Sequence, residues 1–155
     1  MFKHVLVPTD FGAPSDAALA YARIVAGEFG ASLHVLHVVN DPYRASYSAE
    51  VFVPQMEGLR DELLADATRR LNDRLRPDDI QRLRATAGAV IGTPAMSIVD
   101  YADDHDIDLI VMGTHGRSGM SHLLMGSVAE QVVRTAPCPV LLVREARATA
   151  AAAAA

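Results

Sequence analysis

Residues 108–136 read DLIVMGTHGRSGMSHLLMGSVAEQVVRTA and contain, in order, an apolar run, a glycine-rich segment and an amphipathic segment. The apolar run predicts a buried strand, and the last ten residues predict a short helix. The segment between them contains too many glycines for a helix and therefore predicts a long loop. A strand that leads through a loop into a helix is the repeating unit of a parallel α/β sheet.

The rest of the chain repeats this alternation. The predicted strands are HVLVPTD (4–10), SLHVLHVV (32–39), RLRATAGAVIG (82–92), IDLIVMG (107–113) and PCPVLLVR (137–144). The predicted helices cover 15–29, about 59–75, 93–106 and 127–136, with Ser15 and Thr93 as amino-terminal caps and Pro77 as a terminator. The strands have the mainly apolar composition of buried strands and need cover on both faces, so the pattern predicts a parallel α/β sheet with helices on both sides. Such sheets bind ligands beyond the carboxyl ends of their strands, here in the loops after the first and fourth strands.

Length and composition limit the possible functions. The 155 residues predict one domain over 1–145, followed by an alanine-rich tail at 146–155, with an aperiodic connection at 41–55 that is a candidate lid. The net charge of −5, without any basic run, argues against a nucleic-acid partner. No apolar run is long enough for a membrane helix, and no export signal is visible at the amino terminus. The single cysteine, Cys138, excludes an internal disulfide and fits a reducing cytoplasm.

The glycine-rich segment places Gly113, Gly116 and Gly126 in order, with Ser127 opening the next helix. Glycine lets backbone N–H groups approach an anion closely, and a helix amino terminus adds free donors, so phosphate is the natural ligand. Arg117 would add a forked donor. The alternative is a structural loop in which the glycines make turns and Ser127 caps its helix. From the residues alone, both interpretations remain open.

Other patterns are weighed in the same way. Ser127 and Glu130 have the spacing of a capping box, which favours the structural alternative. A P-loop needs a lysine beside its last glycine, and Lys3 is the only lysine in the chain, so that motif is excluded. A dinucleotide fingerprint is also excluded, because the loop after the first strand reads PTDFGAPS.

Other clusters of polar residues give weaker signals. His34 and His37 are three apart on a strand and point to opposite faces, so they are not expected to share a metal ion. Four aspartates, Asp103, Asp104, Asp106 and Asp108, are interpreted as a solvated helix end. Asp10 is either a ligand group or the cap of the loop that follows it.

Several motifs occur together in one order: VPTD at 7–10, GTP at 92–94, the long central block from Asp108, and CPVLLVR at 138–144. Together they resemble a single-domain universal stress protein over nearly the whole chain. The ATP-binding subgroup of that family is marked by G-x2-G-x9-G-[ST], which Gly113, Gly116, Gly126 and Ser127 match in full. The resemblance implies a doubly wound five-stranded sheet with strand order 3-2-1-4-5. It also implies a homodimer formed through the last strand, Pro139 to Val143.

The resemblance further implies where an adenine nucleotide lies. Base and ribose are expected near Pro8, Thr9, Asp10, Val38 and Met112. The triphosphate is expected along Gly113, His115, Gly116 and Arg117 to Gly126, Ser127 and Val128. Asp10 is expected to contact the ribose or to help hold Mg²⁺ that accompanies ATP.

The resemblance implies an ATP-binding regulatory protein of stress adaptation, in which hydrolysis is expected to be slow or absent. Phosphoryl transfer needs positioned metal ligands and a group that orients the nucleophile, and the glycine loop supplies little besides Arg117. Two alternatives stay open. One is a weak ATPase or phosphotransferase that uses Asp10 and His115, and the other is a dimeric interaction scaffold that binds no nucleotide.

Overall fold

Strands and helices alternate along the computed structural model, which describes residues 1–41, 56–115 and 125–144. The strands are β1 (His4–Pro8), β2 (Ser32–Asn40), β3 (Thr86–Gly92), β4 (Leu109–Gly113) and β5 (Val140–Val143). The helices are α1 (Ala13–Phe29), α2 (Met56–Asn72), α3 (Pro77–Leu83), α4 (Pro94–Asp104) and α5 (Ser127–Thr135). The candidate lid, apart from Asp41, and the alanine-rich tail lie outside the described residues.

The five strands form one sheet in the order β3-β2-β1-β4-β5. All four pairings are parallel. The predicted fold class and strand order are therefore confirmed. Since β1 is central, the chain winds from it first toward β2 and β3 and later toward β4 and β5, and the direction of winding reverses between β1 and β4.

Each face of the sheet carries its own apolar layer, because successive side chains of a strand point to opposite faces. On one face, Val5 and Val7 of β1 pack with Ala22 of α1, in a layer that also includes residues of α2 and α3. On the other face, Leu6 of β1 packs with Ile98 of α4 and with residues of α5. Helices cover both faces, as predicted, and the ends of the strands are left to the connecting loops.

The region around Pro77 differs from the sequence prediction. The helix predicted to run to Pro77 ends at Asn72, and Pro77 instead begins α3. Proline fits the first turn of a helix, because its missing N–H has no partner there in any case. The third strand was predicted from Arg82, but Arg82 and Leu83 complete α3, and β3 begins at Thr86.

A buried ion pair joins α1 to α3. The Arg23 guanidinium donates to Asp79 at 2.9 Å from Nε and 2.7 Å from Nη2, and it also donates to the Arg74 carbonyl oxygen at 2.8 Å. Asp79 is 3% exposed and accepts the Arg76 backbone N–H at 2.9 Å. Burial acts most strongly on the pKa of Asp79 and would raise it. The hydrogen bonds from Arg23 and Arg76, together with the charges of the two arginines, outweigh burial and lower that pKa.

The four aspartates at the end of α4 do not all behave alike. Asp103, Asp104 and Asp106 are exposed, as the sequence predicted. Asp108 differs, because its carboxylate accepts the backbone N–H groups of Lys3 at 2.6 Å and His4 at 2.9 Å. It therefore ties the start of β1 to the start of β4 and is more than a solvated helix end.

Three histidines gather near the amino-terminal ends of the strands. The His34 ring lies 5.9 Å, between centroids, from both His4 and His105. Its Nδ1 is 3.2 Å from the Tyr101 hydroxyl. Burial lowers the pKa of His34 most, and electrostatic repulsion from His4 and His105 lowers it further.

This lowered pKa predicts a loss of stability in acid. A histidine whose pKa is lower in the folded state binds its proton more tightly after unfolding, so stability falls as the pH drops below about 6.5 toward the folded pKa. We expect the free energy of unfolding to fall more between about pH 7.5 and 5.5 in the native protein than in His34→Gln, by less than about 1 kcal/mol because solvent screens a half-buried ring. Urea titrations at the two pH values measure this difference. Equal losses in the two proteins would contradict the assignment to His34.

Candidate functional site

A cavity of about 420 Å³ opens beyond the carboxyl ends of β1, β2 and β4, at the reversal of winding. Ten of the twelve residues predicted for the nucleotide site line it: Pro8, Thr9, Asp10, Val38, Met112, Gly113, His115, Gly126, Ser127 and Val128. The other two, Gly116 and Arg117, lie outside the described residues. The fold thus brings together, in one crevice, residues from three loops that are far apart in the sequence.

Asp10 braces the loop between β1 and α1. Its Oδ1 accepts the backbone N–H of Gly12 at 2.9 Å and the hydroxyl of Ser15 at 3.0 Å. Ser15 was predicted to be the amino-terminal cap of α1, but Gly12 holds that position, and Ser15 is buried in the first turn. The helix starts earlier than predicted because Pro14 fits its first turn. Asp10 is consequently held in place at the cavity wall by its own loop.

Gly113, at the end of β4, allows a close approach to α1. A β-carbon added there would lie 2.8 Å from the Pro14 Cβ and 2.9 Å from the backbone carbon and oxygen of Pro14. Real β-carbons do not come this close to backbone atoms. The first glycine of the motif therefore has a packing reason of its own, which does not depend on a ligand.

We expect Gly113→Ala to destabilise the fold, because the first turn of α1 has to move away from β4. The expected loss is about 1 to 3 kcal/mol in the free energy of unfolding, as for an overpacked core. Gly88→Ala in β3 is a matched control, since its added β-carbon would meet its nearest neighbours at an ordinary 3.8 Å. Chemical denaturation of both variants checks the prediction, and equal stabilities would contradict it.

The amino terminus of α5 faces the cavity without a side-chain cap. Gly126 is the N-cap residue, and Ser127 is already helical, so the predicted capping box of Ser127 and Glu130 is wrong. Among the described residues, no side chain caps this terminus. Glu130 instead pairs with Arg134 one turn later, at 2.8 Å.

Hydrogen bonds hold Thr114 and Gly126, which lie on the two sides of the segment between β4 and α5. The Gly126 N–H donates to the Thr114 carbonyl oxygen at 2.7 Å, and the Thr114 N–H donates to the Val143 carbonyl oxygen at 3.0 Å. The Thr114 hydroxyl lies 3.0 Å from Nδ1 of His115. These contacts hold the start of α5 and His115 beside the end of β4, as an anion site at this helix would require.

One edge of β2 is open to the cavity. Pairing of β1 with β2 ends at Pro8 and Leu36, whereas β2 stays paired with β3 as far as Asn40 and Gly92. The Leu36 carbonyl points toward β1, since it accepts the Thr9 N–H at 2.8 Å. Backbone groups two residues apart on a strand point to the same side. The N–H and C=O of Val38 therefore point to the side where β1 has ended, which is the side of the cavity.

Eight further residues line the cavity and were not assigned to the site from sequence: Ser15, Leu36, His37, Val39, Asn40, Pro94, Ile98 and Ala129. Pro94 belongs to the GTP motif at 92–94, which marks the carboxyl end of β3 and was available as a signal. His37 adjoins Val38 at the end of β2, but from sequence it was considered only together with His34, as a metal pair that strand geometry excludes. The two histidines lie on opposite faces, as predicted, with His34 against Tyr101 and His37 against Phe11.

The described residues meet the requirements of neither a metal-binding cluster nor a membrane-spanning helix. No group of three or more histidine, cysteine, aspartate or glutamate side chains there is placed to hold a metal ion. None of the helices in those ranges is both long enough and apolar enough to cross a membrane.

Known proteins resemble this chain over nearly its whole length. Universal stress protein MJ0531 of Methanocaldococcus jannaschii is 32% identical over 145 residues, which cover 94% of this chain and 84% of that protein. The structure of universal stress protein UspA from Lactobacillus plantarum has a TM-score of 0.75 at 31% identity and covers 92% of this chain and 98% of its own. A universal stress protein solved in complex with cAMP has a TM-score of 0.65 at 27% identity, with coverages of 93% and 98%.

A family model extends this likeness to the domain as a whole. The model described as the universal stress protein family matches residues 1–144, a range that includes all the described strands and helices. The chain belongs to the universal stress protein family.

Proposed function

We propose that this protein binds ATP, together with Mg²⁺, in the crevice beyond β1, β2 and β4, and that it acts as a regulatory protein of stress adaptation. The observation that carries the proposal is the amino terminus of α5, whose N-cap residue is Gly126 and which opens on the same cavity as Asp10 and the edge of β2 beyond Leu36. The likeness to a universal stress protein in complex with cAMP supports an adenine nucleotide as the ligand.

The phosphates would bind at the start of α5. Helix amino termini attract anions through free N–H groups and the positive end of the helix dipole. Gly126, Ser127 and Val128 all line the cavity at this terminus. The sequence motif adds Gly116 and Arg117 from the preceding loop.

The base would bind at the open edge of β2. The backbone of Val38 offers one N–H donor and one C=O acceptor on the cavity side, as an edge strand offers them to a pairing strand. The Watson–Crick edge of adenine also carries a donor beside an acceptor and is complementary to this pair. Met112 and Ile98 supply the apolar walls that a planar base requires.

Mg²⁺ would be held mainly by the phosphates. This ion retains several waters and is usually bound through one or two carboxylates plus phosphate oxygens, so it needs no protein cage. Asp10 is the carboxylate that lines the cavity and is our candidate ligand. Bound there, Mg²⁺ would neutralise phosphate charge.

We propose that hydrolysis is slow or absent. The Asp10 carboxylate already accepts hydrogen bonds from the Gly12 N–H and the Ser15 hydroxyl. These bonds favour a fixed carboxylate over a general base that takes a proton from water. The alternative, a weak ATPase or phosphotransferase that uses Asp10 and His115, requires turnover that disappears in Asp10→Ala while the protein remains folded. A phosphate-release assay separates the two.

The protein is further proposed to be a cytoplasmic homodimer with a single domain over 1–145. Its β5 is an edge strand that pairs with β4, and Leu141 is 39% exposed there. An apolar edge strand favours pairing with a second copy, here through Pro139 to Val143. A dimeric scaffold without nucleotide is the alternative function, and the packing role of Gly113 is compatible with it.

Calorimetric titration of nucleotide-free protein with MgATP tests the proposed function. We expect saturable binding, weaker binding of MgGTP because its base edge presents a different donor pattern, and weaker binding of adenosine because it lacks phosphates. Folded native protein that binds none of the three would refute the nucleotide assignment and favour the scaffold. Sedimentation of the same sample measures the oligomeric state independently.

A further inference from the structure

His37 lies where the ladder between β1 and β2 stops. The Thr9 N–H still continues that ladder, since it donates to the Leu36 carbonyl oxygen at 2.8 Å. The Thr9 carbonyl oxygen is bonded differently and lies 2.7 Å from Nδ1 of the His37 side chain. A carbonyl oxygen only accepts, so His37 Nδ1 carries the hydrogen and donates it. The His37 side chain thus replaces a backbone N–H as the donor to β1 at the point where the backbones of β1 and β2 separate.

The loop that follows Thr9 is strained. Phe11 has φ = 66°, in the left-handed region that a bulky side chain rarely adopts. Its N–H donates to the Thr9 hydroxyl at 3.0 Å, and its carbonyl oxygen accepts from Arg74 Nη2 at 3.0 Å. Such a conformation persists only where the surroundings over-determine it.

The ring of Phe11 contacts both a histidine ring and an arginine guanidinium. The His37 ring lies against it with centroids 4.4 Å apart. The Arg70 guanidinium lies over the ring, 4.0 Å from its centroid. His37 therefore contacts the loop twice, once through the hydrogen bond to Thr9 and once through its tilted ring contact with Phe11, while it also lines the cavity.

We infer that His37 is a positioning residue for the nucleotide site: it holds the Thr9 carbonyl oxygen and the Phe11 ring and so fixes Asp10, which lies between them in the chain. This inference rests on the proposed function for its ligand. Its structural part, the ordering of the loop from Thr9 to Gly12, holds for the protein without ligand. The role is distinct from ligand contact, because His37 acts through Asp10.

Two substitutions of His37 separate its hydrogen bond to Thr9 from its ring contact with Phe11. His37→Phe keeps an aromatic ring against Phe11 but has no N–H, whereas His37→Asn keeps an N–H near the position of Nδ1. His34→Phe, three residues earlier on the opposite face of β2, is the matched control. Hydrogen exchange of the Phe11 and Gly12 amides reports the loop without ligand, because these amides donate to Thr9 and Asp10 side chains.

In His37→Phe we expect the Phe11 and Gly12 amides to exchange roughly tenfold faster than in the native protein, with MgATP affinity reduced by a similar factor, as for one lost hydrogen bond. His37→Asn should restore both to within about threefold of native. Amides of the core strands, such as Leu6, should keep their native protection, which shows that the change is local. His34→Phe should leave the Phe11 and Gly12 amides unchanged.

The two proposals fail in different ways. Unchanged exchange of Phe11 and Gly12 in His37→Phe would overturn the inference, whatever the protein binds. Faster exchange with native MgATP affinity would overturn the role of His37 in the site. Faster exchange in a protein whose native form binds no nucleotide would refute the proposed function and support His37 as the residue that orders this loop.

Discussion

We expect Gly126→Asp to weaken MgATP binding several hundredfold without lowering the thermal stability of the protein. Gly126 is the N-cap of α5 and has φ = −73°, which any residue can adopt. Aspartate is among the most favourable N-cap residues, so the substitution should stabilise the helix or leave it unchanged. The same carboxylate would stand where the phosphates are proposed to bind.

The size of the effect follows from the charges. Two like charges about 4 Å apart repel each other by on the order of 4 kcal/mol near a protein surface, which is several hundredfold in affinity. Gly126→Asn is the matched control, because asparagine caps as well as aspartate and has no charge. It should weaken binding by roughly tenfold at most, through competition of its side chain for the helix N–H groups.

Calorimetry with MgATP and thermal unfolding measure both quantities on the same samples. The contrast between the two variants is informative because their stabilities should be alike. Equal MgATP affinities of Gly126→Asp and the native protein would show that the phosphates bind elsewhere. Gly113→Ala cannot serve in this experiment, since its packing against Pro14 is lost in any case.

The second large effect is expected at the ion pair between α1 and α3. Arg23→Met should lower the free energy of unfolding by about 3 to 5 kcal/mol, because it leaves the Asp79 carboxylate buried without its charged partner. Arg82→Met is the control, on α3, the helix that carries Asp79. Its pair with Asp78 is exposed, at 72% and 66% of the two side chains, and should contribute less than about 1 kcal/mol.

A double variant tests the cause. If the loss comes from the uncompensated charge, Arg23→Met with Asp79→Leu should recover much of the stability that Arg23→Met alone loses. Urea titration of the native protein, the two single variants and the double variant provides the cycle. A loss in Arg23→Met no larger than that in Arg82→Met would contradict the importance of burial.

The contribution of the Arg23–Asp79 pair to stability should decrease in acid. The pKa of Asp79 is lowered in the folded protein, so the contribution of its carboxylate is present above the ordinary aspartate pKa and is lost as the pH falls through the folded value. Acid should therefore weaken the α1–α3 contact at lower pH than it affects His34.

The fold was predictable because apolar strands and amphipathic segments alternate in a simple order. Local signals were less reliable where one residue type serves two purposes. Pro77 ends one helical pattern in the sequence but begins the next helix in the structure, and both uses follow from its missing N–H. Ser15 and Ser127 are of a residue type that commonly caps helices. The N-cap residues of α1 and α5 are nevertheless glycines, Gly12 and Gly126.

The site was predictable as far as a motif marked it. Gly113, Gly126 and Asp10 carry motif positions, and the cavity brings them together. His37 has no such signal, because its role depends on where β1 diverges from β2, and this is set by pairing between distant segments. The packing role of Gly113 was hidden for the same reason, since Pro14 is far from it in sequence.

The central position of β1 also governs the order in which the molecule can assemble. This strand is made early, yet one of its two neighbours is β4, and the Asp108 carboxylate that receives the His4 N–H lies 104 residues away. During synthesis, β1 can pair with β2 but has an open apolar flank until β4 has left the ribosome. Contacts this distant slow folding and expose nascent strands to aggregation. The sheet is therefore expected to close in one late step of folding.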